Sequence, residues 1–167
     1  MNNWDNVYPL SKDGGVRWVM PEDAVAILML TNELIIASGA AFESRLTAKD
    51  LLNDLFGADR KSEVIVFEME GNVVGYLSFS RGYGPWQSIS TMMINAVSVS
   101  AAYTRKGIGK QLFRFAADIA CQRGWRRIEL YTDIHYAAAK HFYQKLGFEF
   151  SEVAYGKCSA RKLSGHA

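Results

Sequence analysis

Between residues 89 and 148 the chain alternates strand and helix in an order that leaves little choice of architecture. Ile89 to Val99, rich in β-branched residues and methionine, reads as a strand and is followed by a loop from Ala101 to Lys106. A helix runs from about Gly109 to Arg123 and stops at Gly124, and Arg127 to Asp133 is again a strand. Strand, crossover helix and strand in this order form a βαβ unit, whose two strands lie parallel. A second helix, Ala137 to Lys145, ends at Gly147 and feeds a last strand from Phe148.

The front half reads differently. Residues 1–15 are a loosely held extension closed by Gly14-Gly15, and residues 16–167 form one domain. Val16 to Met20 is a first strand. Pro21, Glu22 and Asp23 then open a helix, because proline suits the first helical position and carboxylates favour the positive end. Ala24, Ile27, Leu28, Thr31, Leu34 and Ile35 keep helical spacing as far as Ser38-Gly39. Thr47 with Asp50 marks a capped start for a second helix, with Leu51, Leu52 and Leu55 on one face and Gly57 beyond its end. Glu63 to Met69, the turn Gly71-Asn72 and Val73 to Phe79 make a hairpin, and Gly82-Tyr83-Gly84-Pro85 breaks the pattern. Antiparallel strands in front and a parallel crossover behind give an α/β fold with a mixed central sheet.

Composition narrows the function. A net charge of +2 argues against a dedicated nucleic-acid binder, whose basic surface dominates its composition. Cys121 and Cys158 have no metal-ligand spacing, and His135, His141 and His166 form no pattern with them, so no metal is expected and a reducing compartment is the simpler setting. The polar first residues lack the apolar core of a signal peptide, and no apolar run is long enough to cross a bilayer. A cytoplasmic location without membrane attachment is the expectation.

Two segments carry chemistry. In Thr104-Arg105-Lys106-Gly107-Ile108-Gly109-Lys110-Gln111-Leu112, glycines between a strand and a helix let the backbone approach a ligand closely. The helix-start amides and three cations favour a phosphate there; a plain glycine loop with solvated lysines is the alternative. A P-loop would need glycine where Thr104 stands and Ser or Thr at Gln111, and a dinucleotide fingerprint would need glycine at Leu112. Both are excluded. The second segment is Ala139 to Phe148, a helix carrying Phe142-Tyr143 and closed by Gly147. Tyr143 is either a packing tyrosine or a group near the carboxyl ends of the strands, where α/β sheets build sites.

Val97-Ser98-Val99 with the Gly107/Gly109 loop, and Phe142-Tyr143 with Lys145 and Gly147-Phe148, resemble the two signature segments of the GNAT superfamily of N-acetyltransferases. The resemblance extends from about Val16 to Phe150. It implies the GNAT fold with its parallel crossover at an acetyl-coenzyme A site, a splayed strand whose Val97, Ser98 and Val99 region meets the pantetheine arm, and loop amides from Arg105 through Lys106, Gly107, Ile108 and Gly109 to Lys110 around the pyrophosphate. Phe142 and Lys145 would line the cofactor and Tyr143 would protonate the departing thiolate.

Within the superfamily, Leu46 to Gly57 and Tyr83-Gly84-Pro85-Trp86 resemble the diamine (spermidine/spermine) acetyltransferase branch, which implies a small amine acceptor and a homodimer. Thr104 and Tyr136 depart from the motifs, and Asn95 and Ala96 stand where that branch has an acidic pair. Glu33, Trp86 and Asn95 are the candidate acceptor contacts. His135 is the candidate base, with Asp133 beside it. A GNAT-fold acyl-coenzyme A binder without turnover is the competing function.

Overall fold

The computed structural model describes residues 14–39, 44–132 and 136–151, which fall in two compact units, Met1–Asp133 and Ile134–Ala167. In the first unit a five-stranded sheet has the order β1 (Gly15–Trp18), β2 (Glu63–Met69), β3 (Asn72–Gly84), β4 (Ile89–Val99) and β5 (Arg127–Leu130). Strands β1 to β4 are antiparallel neighbours, and β5 joins β4 in parallel. Helices α1 (Ala24–Ser38), α2 (Ala48–Phe56) and α3 (Ile108–Gln122) belong to the same unit. The second unit contains α4 (Ala137–Lys145). The sheet thus has the mixed, antiparallel-then-parallel form expected from the sequence.

Both sheet faces are covered, as alternation along the strands requires. Val64, Val66 and Tyr76 pack with Ala24, Ile27 and Leu30 of α1 and with Leu51 and Leu55 of α2. Ile65, Phe67, Leu77 and Phe79 point the other way, toward the side of α3, whose Leu112, Ala116 and Ile119 are fully buried. Trp18 lies between Phe79 and Phe115. Helix α2 begins as its sequence implies: the Asp50 amide donates to Thr47 Oγ1 at 3.2 Å and the Thr47 amide donates back to Asp50 Oδ2 at 2.9 Å.

Several boundaries differ from the sequence expectation. The strand β3 does not break at Gly82 but runs to Gly84, paired as far as Ile89, and the turn falls at Pro85 to Ser88. Gly82 belongs in the strand because a Cβ there would lie 2.5 Å from Thr91 Oγ1 across the ladder. Pro21 to Asp23 form a separate 3-10 turn before α1, held by Asp23 Oδ2 accepting from the Met20 amide at 2.7 Å. Leu52 is exposed, since it lies about 100° around the helix from Leu51. Residues 148–151 carry no ladder pairing: alternation supplies strand propensity but not a partner. Of the expected N-terminal extension, residues 1–13 lie outside the described residues, and Gly15 already opens β1.

Candidate active site

The site begins where two strands part. Strand β5 pairs with β4 only from Thr91 to Ile94, whereas β3 follows β4 to its last residue, Val99. The phase of the β3–β4 ladder is fixed just beyond that end, where the Ser100 amide donates to the Val74 carbonyl at 2.9 Å. Hydrogen-bonded and non-hydrogen-bonded pairs alternate in an antiparallel ladder. Counting back, Ser98 and Ala96 turn their backbone groups toward β3, while Val97 and Val99 turn theirs away. These face the side that β5 has left, with no strand partner among the described residues.

Ser98 does something else. Its buried hydroxyl donates to the Leu30 carbonyl of α1 at 3.0 Å, so neither its side chain nor its backbone faces the open side. The sequence places it with its neighbours as a cofactor contact; the alternation of the strand separates it from them.

After β4 the chain makes a 3-10 turn, Ala101–Tyr103, in which Thr104 Oγ1 donates to the Ala101 carbonyl at 3.1 Å. Arg105 and Gly107 then have φ of 61° and 80°, with Lys106 between them on the ordinary side. Alternating φ signs turn successive amides into one concavity, which is how backbone binds anions. Helix α3 starts at once. Gly107 is its N-cap, no side chain caps it, its first turn carries no acid, and the first intrahelical bond runs from the Gln111 amide to the Gly107 carbonyl. The amides of Ile108, Gly109 and Lys110 thus lack helical acceptors. Arg105, Lys106 and Lys110 are exposed around them, with Lys106 Nζ 4.9 Å from the centre of the Tyr103 ring. The Ile108 side chain is buried, so only its backbone is available to a ligand.

Gly75, which sequence reasoning did not single out, brings the helix start this close to the sheet. A Cβ there would lie 3.1 Å from the Ser98 carbonyl oxygen and 3.3 Å from Ile108 Cγ2. Glycine inside a strand is the signal that could have found it.

The acceptor candidates separate. Glu33 stands at the same end, accepting from the Ala101 amide at 3.2 Å. Asn95 is the extra residue of a β-bulge: Phe79 pairs with Ile94 and Ser78 with Ala96, leaving Asn95 unpaired. Its side chain donates to Ser62 Oγ at 3.1 Å and accepts from Ser80 Oγ at 3.2 Å. Trp86 is not brought to this place. It is 97% exposed at the far tip of the β3–β4 hairpin, roughly 26 Å along the strand from Val97 at the usual rise. It was expected beside the acceptor because Tyr83-Gly84-Pro85-Trp86 resembles a segment of the diamine acetyltransferase branch, but the length of β3 puts it at the other end of the strand.

In the second unit Tyr143 is buried on α4, and burial, then Tyr136, raises its hydroxyl above the ordinary pKa of 10.0. The helix closes in a Schellman motif, with Phe148 N–H donating to the Tyr143 carbonyl at 3.1 Å and Gly147 N–H to that of Gln144 at 3.0 Å. The Phe148 and Tyr143 rings meet edge to face at 5.9 Å, which fixes the tyrosine ring. Phe142 is half-buried beside Tyr143, and Lys145 is exposed in the last turn. Asp133 and His135 lie outside the described residues. Among the described residues no three His, Cys, Asp or Glu side chains cluster as a metal site, and no helix is long and apolar enough to cross a membrane.

Comparison with known proteins bears on this arrangement. Residues 28–148 match the model of the acetyltransferase (GNAT) family. The probable N-acetyltransferase 14 of Xenopus tropicalis is 25% identical over 135 residues, 81% of this chain and 63% of that protein. The streptothricin acetyltransferase of Streptomyces lavendulae is 34% identical over 93 residues, 56% of this chain and 47% of that one. The chain therefore spans less than two thirds of the length of these relatives. Among solved structures, a possible acetyltransferase from Clostridium difficile 630 superposes with a TM-score of 0.72 at 19% identity, covering 89% of this chain and 98% of that one. An aminoglycoside acetyltransferase from an uncultured soil metagenomic sample does so with a TM-score of 0.73 at 17% identity, covering 90% and 99%. At such identities these two structures share the fold. The chain belongs to the acetyltransferase (GNAT) family.

Proposed function

We propose that the chain transfers an acetyl group from acetyl-coenzyme A, the co-substrate its family implies, to a primary amine of a small molecule. One observation carries this reading: two unsatisfied backbone surfaces lie together, the outward groups of Val97 and Val99 and the uncapped start of α3. A pantetheine arm holds two amides and needs backbone-like partners along a strand edge. A pyrophosphate needs N–H donors and positive charge, which the Arg105 to Lys110 segment offers.

Transfer requires two proton movements. The amine nitrogen attacks the acetyl carbonyl carbon, the carbon–sulfur bond breaks, and the thiolate takes a proton. Tyr143 is the proposed donor, since burial keeps its phenol protonated. The amine must lose a proton: with a pKa near 10.4, only about one molecule in 2,500 is neutral at pH 7. Asn95 cannot take it, because an amide oxygen is too weak a base. His135 is the proposed base, since imidazole is the side chain whose reference pKa, about 6.5, suits this step.

Two matched proteins are named for small acceptors, streptothricin and an aminoglycoside, which supports a small-molecule amine. A diamine acceptor and a homodimer rest on the segments Leu46 to Gly57 and Tyr83 to Trp86 alone. The second reading, an acyl-coenzyme A binder without turnover, is favoured by Asn95, whose amide is bonded to two serines where a carboxylate would serve. A coupled thiol-release screen with acetyl-coenzyme A tests both, run against polyamines, thialysine, amino acids, aminoglycosides and peptide N-termini. Release with one amine class supports the enzyme. Donor binding by calorimetry without release supports the binder, and no donor binding removes both.

A further inference from the structure

Helix α1 is apolar on nearly all sides, yet one of its turns carries three polar links, to β3, to β4 and to the turn that follows β4. The Leu30 carbonyl accepts from Ser98 Oγ at 3.0 Å, Thr31 Oγ1 meets the Tyr76 hydroxyl at 2.9 Å, and Glu33 Oε2 accepts from the Ala101 amide at 3.2 Å. Tyr76 and Ser98 face each other across the β3–β4 ladder, and Ala101 follows Ser98 by one turn of chain. A single turn of α1 is thus fastened to the place where the strand hands over to the loop.

The third link differs from the other two. Ala101 opens the 3-10 turn, and its N-cap residue, Ser100, makes no side-chain cap bond. The missing cap comes from Glu33, 68 residues away in sequence. A carboxylate on α1 beside this segment repels a pyrophosphate held there, so the charge of Glu33 does not itself serve donor binding. Its position is accounted for by what it holds: the first amide of the segment whose later residues adopt the positive φ values at 105 and 107.

We propose that Glu33 is a positioning residue for the donor loop, setting its first peptide so that the amides beyond it converge, and not a counter-charge for the acceptor. This rests on the acetyl-coenzyme A reading above. An acceptor contact would act on the amine; a positioning residue acts on the donor, and through an accepting oxygen rather than a charge.

The test compares Glu33→Ala with Glu33→Gln, which keeps an accepting oxygen and loses the charge. In Glu33→Ala, acetyl-coenzyme A affinity by calorimetry should fall about three- to tenfold, the worth of one ordinary hydrogen bond. The acceptor KM and the kcat at saturating donor should stay within about twofold of wild type. Glu33→Gln should restore donor affinity to the wild-type value or better. A readout free of any ligand accompanies these: hydrogen exchange at the Ala101 amide should quicken in Glu33→Ala and not in Glu33→Gln. A raised acceptor KM at unchanged donor affinity would overturn the proposal, as would equal losses in both variants or unchanged Ala101 exchange in Glu33→Ala. Wild-type protein that binds no acetyl-coenzyme A would instead overturn the parent reading, whatever the exchange data show.

Discussion

The two ends of α3 are built on opposite rules. At its C-terminus the carbonyls of Ile119, Ala120 and Cys121 all accept backbone bonds. Gly124 N–H donates to Cys121 and Trp125 N–H to Ala120, a Schellman closure, and Arg123 makes two bonds to the Glu63 carboxylate at 2.6 and 2.8 Å. The same guanidinium stacks near Trp18, Phe79 and Trp125 at 5.0 to 5.8 Å. At its N-terminus no side chain caps the helix, no acid complements it, and the chain approaches through two left-handed residues. Among the described residues, the N-terminal amides of α3 are therefore left without the protein partners that its C-terminal carbonyls have. One end is closed within the fold; the other is open.

Four substitutions sharpen or break this contrast. The largest effect belongs to α4, whose C-terminus uses the same closure as α3 but carries a buried phenol inside it. Tyr143→Phe keeps the ring against Phe148 and should lower kcat about 10²- to 10⁴-fold with little change in donor affinity or Tm. The sign with pH follows from the raised hydroxyl: the folded protein's preference for the phenol is fully present below about pH 10 and is lost as pH rises through the folded value. No alkaline fall in kcat from this group is therefore expected below pH 10. Equal kcat in the two proteins, with chemistry shown to be rate-limiting, would return Tyr143 to a packing role.

Next, Gly107→Val should weaken acetyl-coenzyme A binding about 10- to 100-fold, since a β-branched residue at φ 80° is strained and obstructs the concavity. A Cβ at 107 meets no protein atom within 4 Å, so any fall in Tm comes from backbone strain alone, and the obstruction of the ligand is read by calorimetry on the folded variant. Undiminished affinity in a folded variant would end the assignment. Arg123→Met is the converse at the closed end. Losing the two bonds to Glu63 should cost about 2 kcal/mol, a Tm fall of about 4–8 °C, at unchanged donor affinity. A donor defect there would mean that the two ends are not separable. The smallest effect is Lys106→Ala: an exposed cation should contribute about two- to fivefold in donor affinity, and high salt should erase it.

Much of the frame was legible. The bounds of β2, β4 and α4 follow from β-branched runs and glycine stops, because those signals are local. The loop was legible for the same reason: glycines and cations between a strand and a helix describe their own geometry. The parts that were not legible depend on residues distant in sequence. Gly82 looks like a breaker until Thr91 is opposite it, and no pattern near Glu33 points to Ala101. Strict period-two reading across Asn95 also fails, since it would put Ile94, Ala96 and Ser98 on one face. The structure pairs Ile94 with Phe79, on the side of α3, while Ala96 and Ser98 face α1.

That bulge has a consequence for how such a protein can change over generations. Because Asn95 is supernumerary, Ile94 and Ala96 keep neighbouring partners, Phe79 and Ser78, as if it were absent. Its side chain is exposed and, among the described residues, bonds to Ser62 and Ser80 at the surface. An amide, a carboxylate or a hydroxyl can therefore be exchanged at 95 by single mutations while the strand register and the faces of the sheet remain as they are. The position offers a lineage chemical variation uncoupled from folding.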